Sequence, residues 1–306
     1  MEKKVLLITG GAGFIGSNIA QKVQGQYNLI ILDNLTTGSL DNLKNIKCSF
    51  RKGDCKDIFR LVSEKVDYIF HLGIASSTTL YLDNNLLVGS QIIGSLKVFQ
   101  KAVRDNAKIV IASSSSLYNQ GKIPSKEDQD IKVTDFYTEC RLAIERLAKL
   151  YSDLYEMKVV CLRMFSVYGG KKEIRKKKFM NMITKFLVAI YEGKQPVSYG
   201  NGTQERDFIH IDDMVRAWLI AKTYKMEDFE VFNIGSGKRY NFNQVLKIIN
   251  SILGTNIKMS YEKNPLPNFV LKTLADMTKT KKVLNFQTKI SLENGIRKTN
   301  SFLLYE

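Results

Sequence analysis

The chain has 306 residues, 44% of them hydrophobic, and a formal net charge of +16. That is enough apolar material for one large domain, or for one domain with a smaller lobe, and no run approaches the roughly 18 apolar residues of a membrane span. The four cysteines (Cys48, Cys55, Cys140, Cys161) lack C-x-x-C spacing and there are only two histidines, which argues against a disulfide framework and a metal cluster and makes the cytosol the default compartment.

"KKVLLITGGAGFIGSNIAQKV" opens with a short apolar run, turns on glycines and continues with helical periodicity: strand, tight turn, helix. The turn follows Val5–Thr9 directly where a signal peptide would have a cleavage site, so no signal peptide is expected. "NLIILDN" is a second buried strand ending in Asp33, "KCSFRKGD" a weaker third and "VDYIFHLG" a fourth. A helical stretch from about Leu86 to Arg104 precedes a fifth strand, "AKIVIASSSS", which runs into serines. A helix over Asp135–Tyr155 and the strand "KVVCLRMFSVYG" follow. Near-continuous apolar strands alternating with helices predict an α/β fold, a Rossmann-type doubly wound parallel sheet. After Gly169 the rhythm loosens into a basic linker, a helix near Phe179–Tyr191, a short strand near Pro196–Tyr199 and mixed elements. We read residues 1–169 as the dinucleotide-binding domain and 170–306 as mainly a smaller C-terminal substrate-binding lobe, some of whose segments return to the main sheet. The lysines are spread along the chain and dense only in "KKEIRKKK", Lys171–Lys178. The charge therefore reads as solvated surface that attracts a small anion, not as a nucleic-acid footprint.

Gly10, Gly13 and Gly16 form G-x-x-G-x-x-G between the first strand and the first helix. In that context glycines permit a tight turn and close approach of a pyrophosphate, and the helix N-terminus offers free N–H groups. Asp33, ending the next strand, suits the ribose hydroxyls of the adenosine and repels a 2′-phosphate, which favours NAD over NADP. Asp54 has two readings, a receiver for the adenine amino group or a plain turn aspartate.

Chemistry in such sheets gathers at the carboxyl ends of the strands. Ser113–Ser116 end the fifth strand, and Tyr137 stands four residues before Arg141 on one helix face. A tyrosine is a poor base at neutral pH unless a cation stabilises its phenolate, and a neighbouring serine hydroxyl can hold the substrate oxygen and relay its proton.

With these residues in view, the chain resembles the extended short-chain dehydrogenase/reductase family, in its branch of nucleotide-sugar epimerases, dehydratases and dehydrogenases. The resemblance runs nearly end to end through "TGGAGFIGS", "ASSSSLY", "FYTECRLAIE", "LRMFSVYG", "GNGTQERDFIHIDD", "FNIGSG" and "ADMTKTKKVL". It implies NAD in the first lobe, with contacts from Gly10, Gly13, Phe14, Ile15, Gly16, Asp33, Asn34, Asp54, Cys55, Leu72, Tyr137 and Arg141. It also implies a nucleotide-diphosphate sugar held between the lobes and a Ser/Thr–Tyr–Lys site. Counting back from Tyr118 puts the catalytic hydroxyl on Ser114, beside Tyr137. Ser115, Ser116 and Ser166 match sugar-side positions, and Arg206 matches the residue that grips the nucleotide pyrophosphate, against the alternative of an ion pair with Glu205 or Asp207. By the same resemblance His210 is structural; Cys140, next to Arg141 on the helix, is expected to point away from Tyr137.

The departures carry information too. The family lysine is Arg141, which keeps the charge but is larger and forked; we expect it to do the lysine's work with altered geometry. Ser166 replaces a usual asparagine, "NPLPN" (Asn264–Asn268) lacks a usual arginine, and Gln91–Ser95 varies "N-x-x-G-T". Lys171–Lys178 falls where relatives carry a loop over the substrate; it either draws in the diphosphate or is solvated surface.

The family's shared step is oxidation of the sugar, usually at C4. Ser115 and Ser116 stand where dehydratases carry an Asp-Glu pair, and the serine loop lacks the cysteine of the 3,5-epimerising relatives. Two outcomes stay open, a C4 dehydrogenase for a GDP- or UDP-linked hexose or heptose, which we put first, and a 4-epimerase. A catalytically impaired NAD-binding scaffold is the non-enzyme alternative. The resemblance also implies a homodimer or higher oligomer that pairs the Leu86–Arg104 and Tyr137 helices, with Leu96, Phe99, Leu142 and Leu150 as candidate contributors. Neither a metal nor a membrane is expected.

Overall fold

The computed structural model describes residues 3–225, 228–264 and 270–304. In chain order it contains β1 (Val5–Thr9), α1 (Phe14–Val23), β2 (Asn28–Asp33), β3 (Ser49–Lys52), α2 (Ile58–Leu61), β4 (Tyr68–His71), α3 (Thr78–Asp83), α4 (Leu87–Asp105) and β5 (Lys108–Ser114). Next come α5 (Phe136–Tyr155), β6 (Val159–Met164), β7 (Ser166–Tyr168), α6 (Lys171–Ile174), α7 (Met182–Tyr191), β8 (Val197–Tyr199) and β9 (Glu205–His210). The chain closes with α8 (Ile211–Thr223), β10 (Phe229–Ile234), β11 (Arg239–Asn241), α9 (Phe242–Leu253), β12 (Ser260–Glu262), α10 (Thr278–Leu284) and α11 (Leu292–Leu304).

Seven strands form the main sheet in the order β10-β6-β5-β4-β1-β2-β3, with parallel pairing from β3 through to β5. From β1 the order runs to β2 and β3 on one side and to β4, β5 and β6 on the other, so β1 and β4 flank the point where direction reverses. The runs Leu6–Ile8, Ile30–Leu32, Ile69–Phe70 and Ile109–Ile111 are buried, as strands covered on both faces require.

The described residues fall into two compact units. The first comprises those up to Leu117 together with Val133–Arg163 and Val215–Phe232. Its core joins β-strand residues such as Leu7 and Ile109 to Val98 and Phe99 of α4 and Cys140 and Ile144 of α5. The second comprises Tyr118–Lys132, Met164–Met214 and the described residues from Asn233 on. It packs Tyr168, Phe186, Phe208, Phe242 and Ile296 around its own core.

Three local expectations change. The apolar run after α5 is two strands, because the chain leaves the main sheet at Phe165: β7 pairs with β9 in a second, three-stranded sheet. The basic stretch Lys171–Lys178 is not an open linker. It coils into α6 and a further helical turn around Glu173, whose buried carboxylate accepts from Gly169 N, Asn181 N and Thr184 Oγ1 at 2.6–2.7 Å. Finally, Phe99 and Leu142 are core residues of one chain and cannot serve a contact between chains; of the four residues named for that role only Leu150 is exposed.

Candidate active site

The phosphate loop is built on backbone proximity. Gly10 has φ +69°, and a Cβ there would lie 2.6 Å from the Leu72 carbonyl group. A Cβ on Gly16 would lie 2.5 Å from Gly10 O, so α1 starts hard against the loop. Gly13 caps α1 with an extended backbone, and no side chain hydrogen-bonds to the helix start. Asp33 reaches the same loop: its Oδ2 accepts from Ala12 N at 2.9 Å and its Oδ1 from Leu35 N at 2.7 Å. Burial raises its pKa, against these backbone donors. Asn34 donates to Asp54 Oδ2 at 3.2 Å, and Asp54 Oδ1 caps the following turn through Lys56 N. Cys55 is buried between Gly73 and Gly94, and burial pushes its thiol up to about 12, so it is a neutral wall. A glycine cradle that no Cβ fits, a helix start with no side-chain cap and a carboxylate at the end of β2 together fit a dinucleotide.

Behind the cradle a buried network ties the ends of β1 and β4. Ser95 Oγ donates to Gln91 O, so it accepts from His71 Nε2 at 3.0 Å; Thr9 Oγ1 accepts from Gly73 N and donates to His71 Nδ1 at 2.7 Å. These roles fix the Nε2–H tautomer. Burial, aided by the charge of Arg141, lowers the His71 pKa to about 3, so the ring is neutral.

Helix α5 forms because Asp135 caps it through Thr138 N, and its apolar stripe packs on the sheet. Tyr137 and Arg141 are both buried on one face, with the Arg141 Cζ 5.2 Å from the centre of the Tyr137 ring. The guanidinium is clamped by backbone. Nη1 donates to Ala112 O at 2.6 Å, and Nη2 donates to Ala75 O at 2.9 Å and Ile74 O at 3.3 Å. Burial opposes its charge, but Tyr137, Tyr81 and Cys140 around it outweigh that, and its pKa is raised. Arg141 is thus a permanent cation stacked on Tyr137.

Arg141 Nη1 bonds two residues before Ser114, so α5 lies against the end of β5 that carries the serines. Ser114 Oγ accepts from Ser116 N at 3.1 Å, in a turn that runs on from Ser115. Two buried polar atoms here have no hydrogen-bond partner among the described residues, Ser116 Oγ and Arg141 Nε. Both are groups that a bound ligand can satisfy.

Three neighbours were not singled out by the sequence: Tyr81, Glu145 and Arg163. Tyr81 of α3 lies with its ring 5.6 Å from that of Tyr137, and its hydroxyl is within reach of Cys140 Sγ (3.5 Å) and Ala75 O (3.3 Å). Burial raises the pKa of both Tyr81 and Cys140, so both stay protonated, and the thiol faces Tyr81. Glu145, eight residues beyond Tyr137, holds Ser113 and Arg163. Its spacing from Tyr137 was visible as a continuation of the same stripe; its partners were not.

In the second unit, Ser166 opens β7 opposite Phe208, and Arg206 lies on β9. The Arg206 guanidinium donates to the carbonyls of Glu205 (2.9 Å), Leu271 (3.2 Å) and Val270 (2.5 Å), and lies 5.7 Å over Phe242; burial lowers its pKa to about 10, so it remains charged. Asp207 accepts from Ser236 N and Oγ, Gly237 N and Ala275 N, and burial raises it to about 6. His210 packs edge-on to Tyr168 at 5.5 Å and accepts from Asp212 N; burial lowers it to about 4. In the "NPLPN" stretch, residues 265–268 lie outside the described residues. Among the described residues there is no group of three His, Cys, Asp or Glu side chains that could hold a metal, and no helix long and apolar enough to cross a membrane.

Comparison with known proteins extends this geometry. A putative UDP-glucose 4-epimerase of Methanocaldococcus jannaschii is 30% identical over 98% of each chain. A UDP-N-acetyl-alpha-D-glucosaminuronate decarboxylase of Bacillus cytotoxicus is 28% identical over 97% of each. The solved UDP-N-acetylglucosamine 4-epimerase of Methanobrevibacter ruminantium, in complex with UDP-N-acetylmuramic acid, superposes with a TM-score of 0.92 at 28% identity, covering 100% of this chain and 99% of that one. The model of the NAD dependent epimerase/dehydratase family matches residues 6–235, which include the glycine cradle, the serine turn and Tyr137, and the chain belongs to that family.

Proposed function

We propose that this enzyme oxidises the C4 hydroxyl of a UDP-linked sugar and returns the hydride to the other face of the resulting ketone, a 4-epimerisation. The observation that carries the reading is the buried pair of Tyr137 and Arg141 held against the serine-bearing end of β5. NAD, when bound, accepts the hydride and gives it back. The Gly10–Gly16 loop and the start of α1 would hold its pyrophosphate, and Asp33 its adenosine ribose. Tyr137 takes the C4 hydroxyl proton and returns it. Arg141, charged at any relevant pH and clamped by three carbonyls, balances the negative charge of a deprotonated Tyr137. Ser114 holds the substrate oxygen and passes the proton. Ser115, Ser116 and Ser166 line the sugar, and Arg206 takes the diphosphate, for which a planar guanidinium suits bidentate contact.

The relatives that are named 4-epimerases support epimerisation, in which the hydride goes back within one cycle and no second oxidant is required. We also infer a homodimer through α4 and α5, supported by exposed Ile93 on α4, Leu150 and Leu154 on α5, and Leu86, which caps α4. Incubating the protein with UDP-glucose, UDP-N-acetylglucosamine and UDP-glucuronate, with products read by mass and NMR, tests the reaction. We expect an isomer of equal mass. A product lighter by two hydrogens would make it a dehydrogenase, loss of carbon dioxide from the glucuronate a decarboxylase, and no turnover of any sugar would leave only a binding protein.

A further inference from the structure

We propose that Glu145 and Ser113 are positioning residues for the reaction: the carboxylate, braced by Arg163, holds the Ser113 hydroxyl and thereby fixes Ser114 relative to Tyr137. The inference rests on the hydride-transfer reading above.

The three side chains are buried together. Ser113 Oγ donates to Glu145 Oε1 at 2.5 Å. Arg163 of β6 grips the same carboxylate with two donors, Nε to Oε1 at 3.0 Å and Nη2 to Oε2 at 2.7 Å. A buried ion pair is weak evidence of a stabilising role, because desolvating both charges offsets most of their attraction and an apolar replacement is often as good. What an apolar pair cannot do is accept a hydrogen bond from Ser113 in one direction only. A carboxylate fixed by two donors on one side offers its remaining lone pairs at a defined place.

That place matters because of register. Tyr137, Arg141 and Glu145 stand at i, i+4 and i+8 on α5 and share one face. Arg141 fastens to the carbonyl of Ala112 and Glu145 to the hydroxyl of Ser113. Two consecutive β5 residues are therefore pinned to the stripe that carries Tyr137, and the next residue is Ser114. Beyond Ser114 the chain turns at once, so its own backbone gives little further constraint. Losing the Ser113 bond frees the end of β5 on that side, and displacements of about 1 Å at reacting groups cost as much as 10²-fold in rate.

The test is Ser113→Ala, which leaves the Glu145–Arg163 pair whole, beside Ser113→Thr, which keeps the hydroxyl. We expect Ser113→Ala to lower kcat about tenfold, with KM for the sugar and the Tm close to wild type, and Ser113→Thr to recover most of kcat. Unchanged kcat in Ser113→Ala overturns the proposal, as does an equal loss in the Thr variant or a collapse of the fold in the Ala variant, which would make the contact structural. An inactive wild type under the same assay sinks the hydride reading itself and this inference with it, so the two failures are told apart by the wild-type control.

Discussion

Arg141 differs from a lysine in more than size. A lysine would present one ammonium with three donors on a flexible stem, whereas the guanidinium here spends Nη1 and Nη2 on three carbonyls and leaves Nε without a partner among the described residues. Arg141→Lys cannot reach all three carbonyls at once. It should lower the Tm, with a cost of about 1–3 kcal/mol from carbonyls left unpaired, while turnover stays within about tenfold of wild type because the charge beside Tyr137 remains. Tyr137→Phe should reduce turnover by about 10²-fold or more. If Arg141→Lys is as dead as Tyr137→Phe, the arginine geometry itself is required. His71 gives a second test at this scale. Its pKa is about 3 in the folded chain against 6.5 for a free imidazole, so its contribution to stability is complete above pH 6.5 and is lost as pH falls through that window. The loss is at most about 1.4 kcal/mol per pH unit. Asp207, raised from 3.8 to about 6, works in the opposite sense, adding stability that is lost as pH rises through that range. Acid unfolding of the whole chain therefore mixes both, and ¹⁵N NMR of the ring is the cleaner measurement. It should show an Nε2–H tautomer that does not change between pH 8 and 5; a midpoint near 6.5 would contradict the buried network.

Among elements, the phosphate loop and α1 allow the sharpest substitution. A methyl group on Gly16 would meet Gly10 O at 2.5 Å and Gly11 Cα at 2.8 Å, both backbone, so the loop rather than a side chain must move. Gly16→Ala should cost about 1–3 kcal/mol and weaken NAD binding at least tenfold by calorimetry; wild-type affinity would mean that the cradle is not where the pyrophosphate lies. This loop was legible in the sequence because its demand is steric and local, and steric demand leaves glycines at fixed offsets. The strands of the main sheet were legible for a related reason: burial on both faces leaves continuous apolar runs. The break at Phe165 was not, since an apolar run does not mark where a chain changes sheets. Neither were the anchors of Arg141, because Ile74, Ala75 and Ala112 offer backbone carbonyls and any residue there would serve. The coil around Glu173 was masked by its six basic neighbours in Lys171–Lys178, which drew attention to charge when one buried carboxylate organises the segment.

For the whole molecule, the question is what covers the outer side of α4 and α5. The two helices pack on each other through Phe99 and Tyr151, whose rings are 5.5 Å apart. Large apolar residues stand exposed here among charged ones such as Lys149 and Asp153: Leu86, which caps α4, is 79% exposed, Ile93 53%, Leu150 51% and Leu154 69%. Leu150 and Leu154 are four apart on α5 and so fall on one side of it, and Ile93 stands seven residues beyond the cap of α4. Large apolar residues exposed in this number on a chain with a formal charge of +16 make a poor surface for a monomer, and burying them against a second copy removes them from water on both chains at once. Light scattering should give twice the mass of the chain. Leu154→Lys sets two like charges against each other or leaves each unpaired in an apolar contact, and should shift the protein to monomer at micromolar concentration without altering the cradle of Gly10–Gly16, so NAD affinity should hold. A wild type that scatters as a monomer, or a Leu154→Lys protein that stays dimeric, would move the contact elsewhere on the surface.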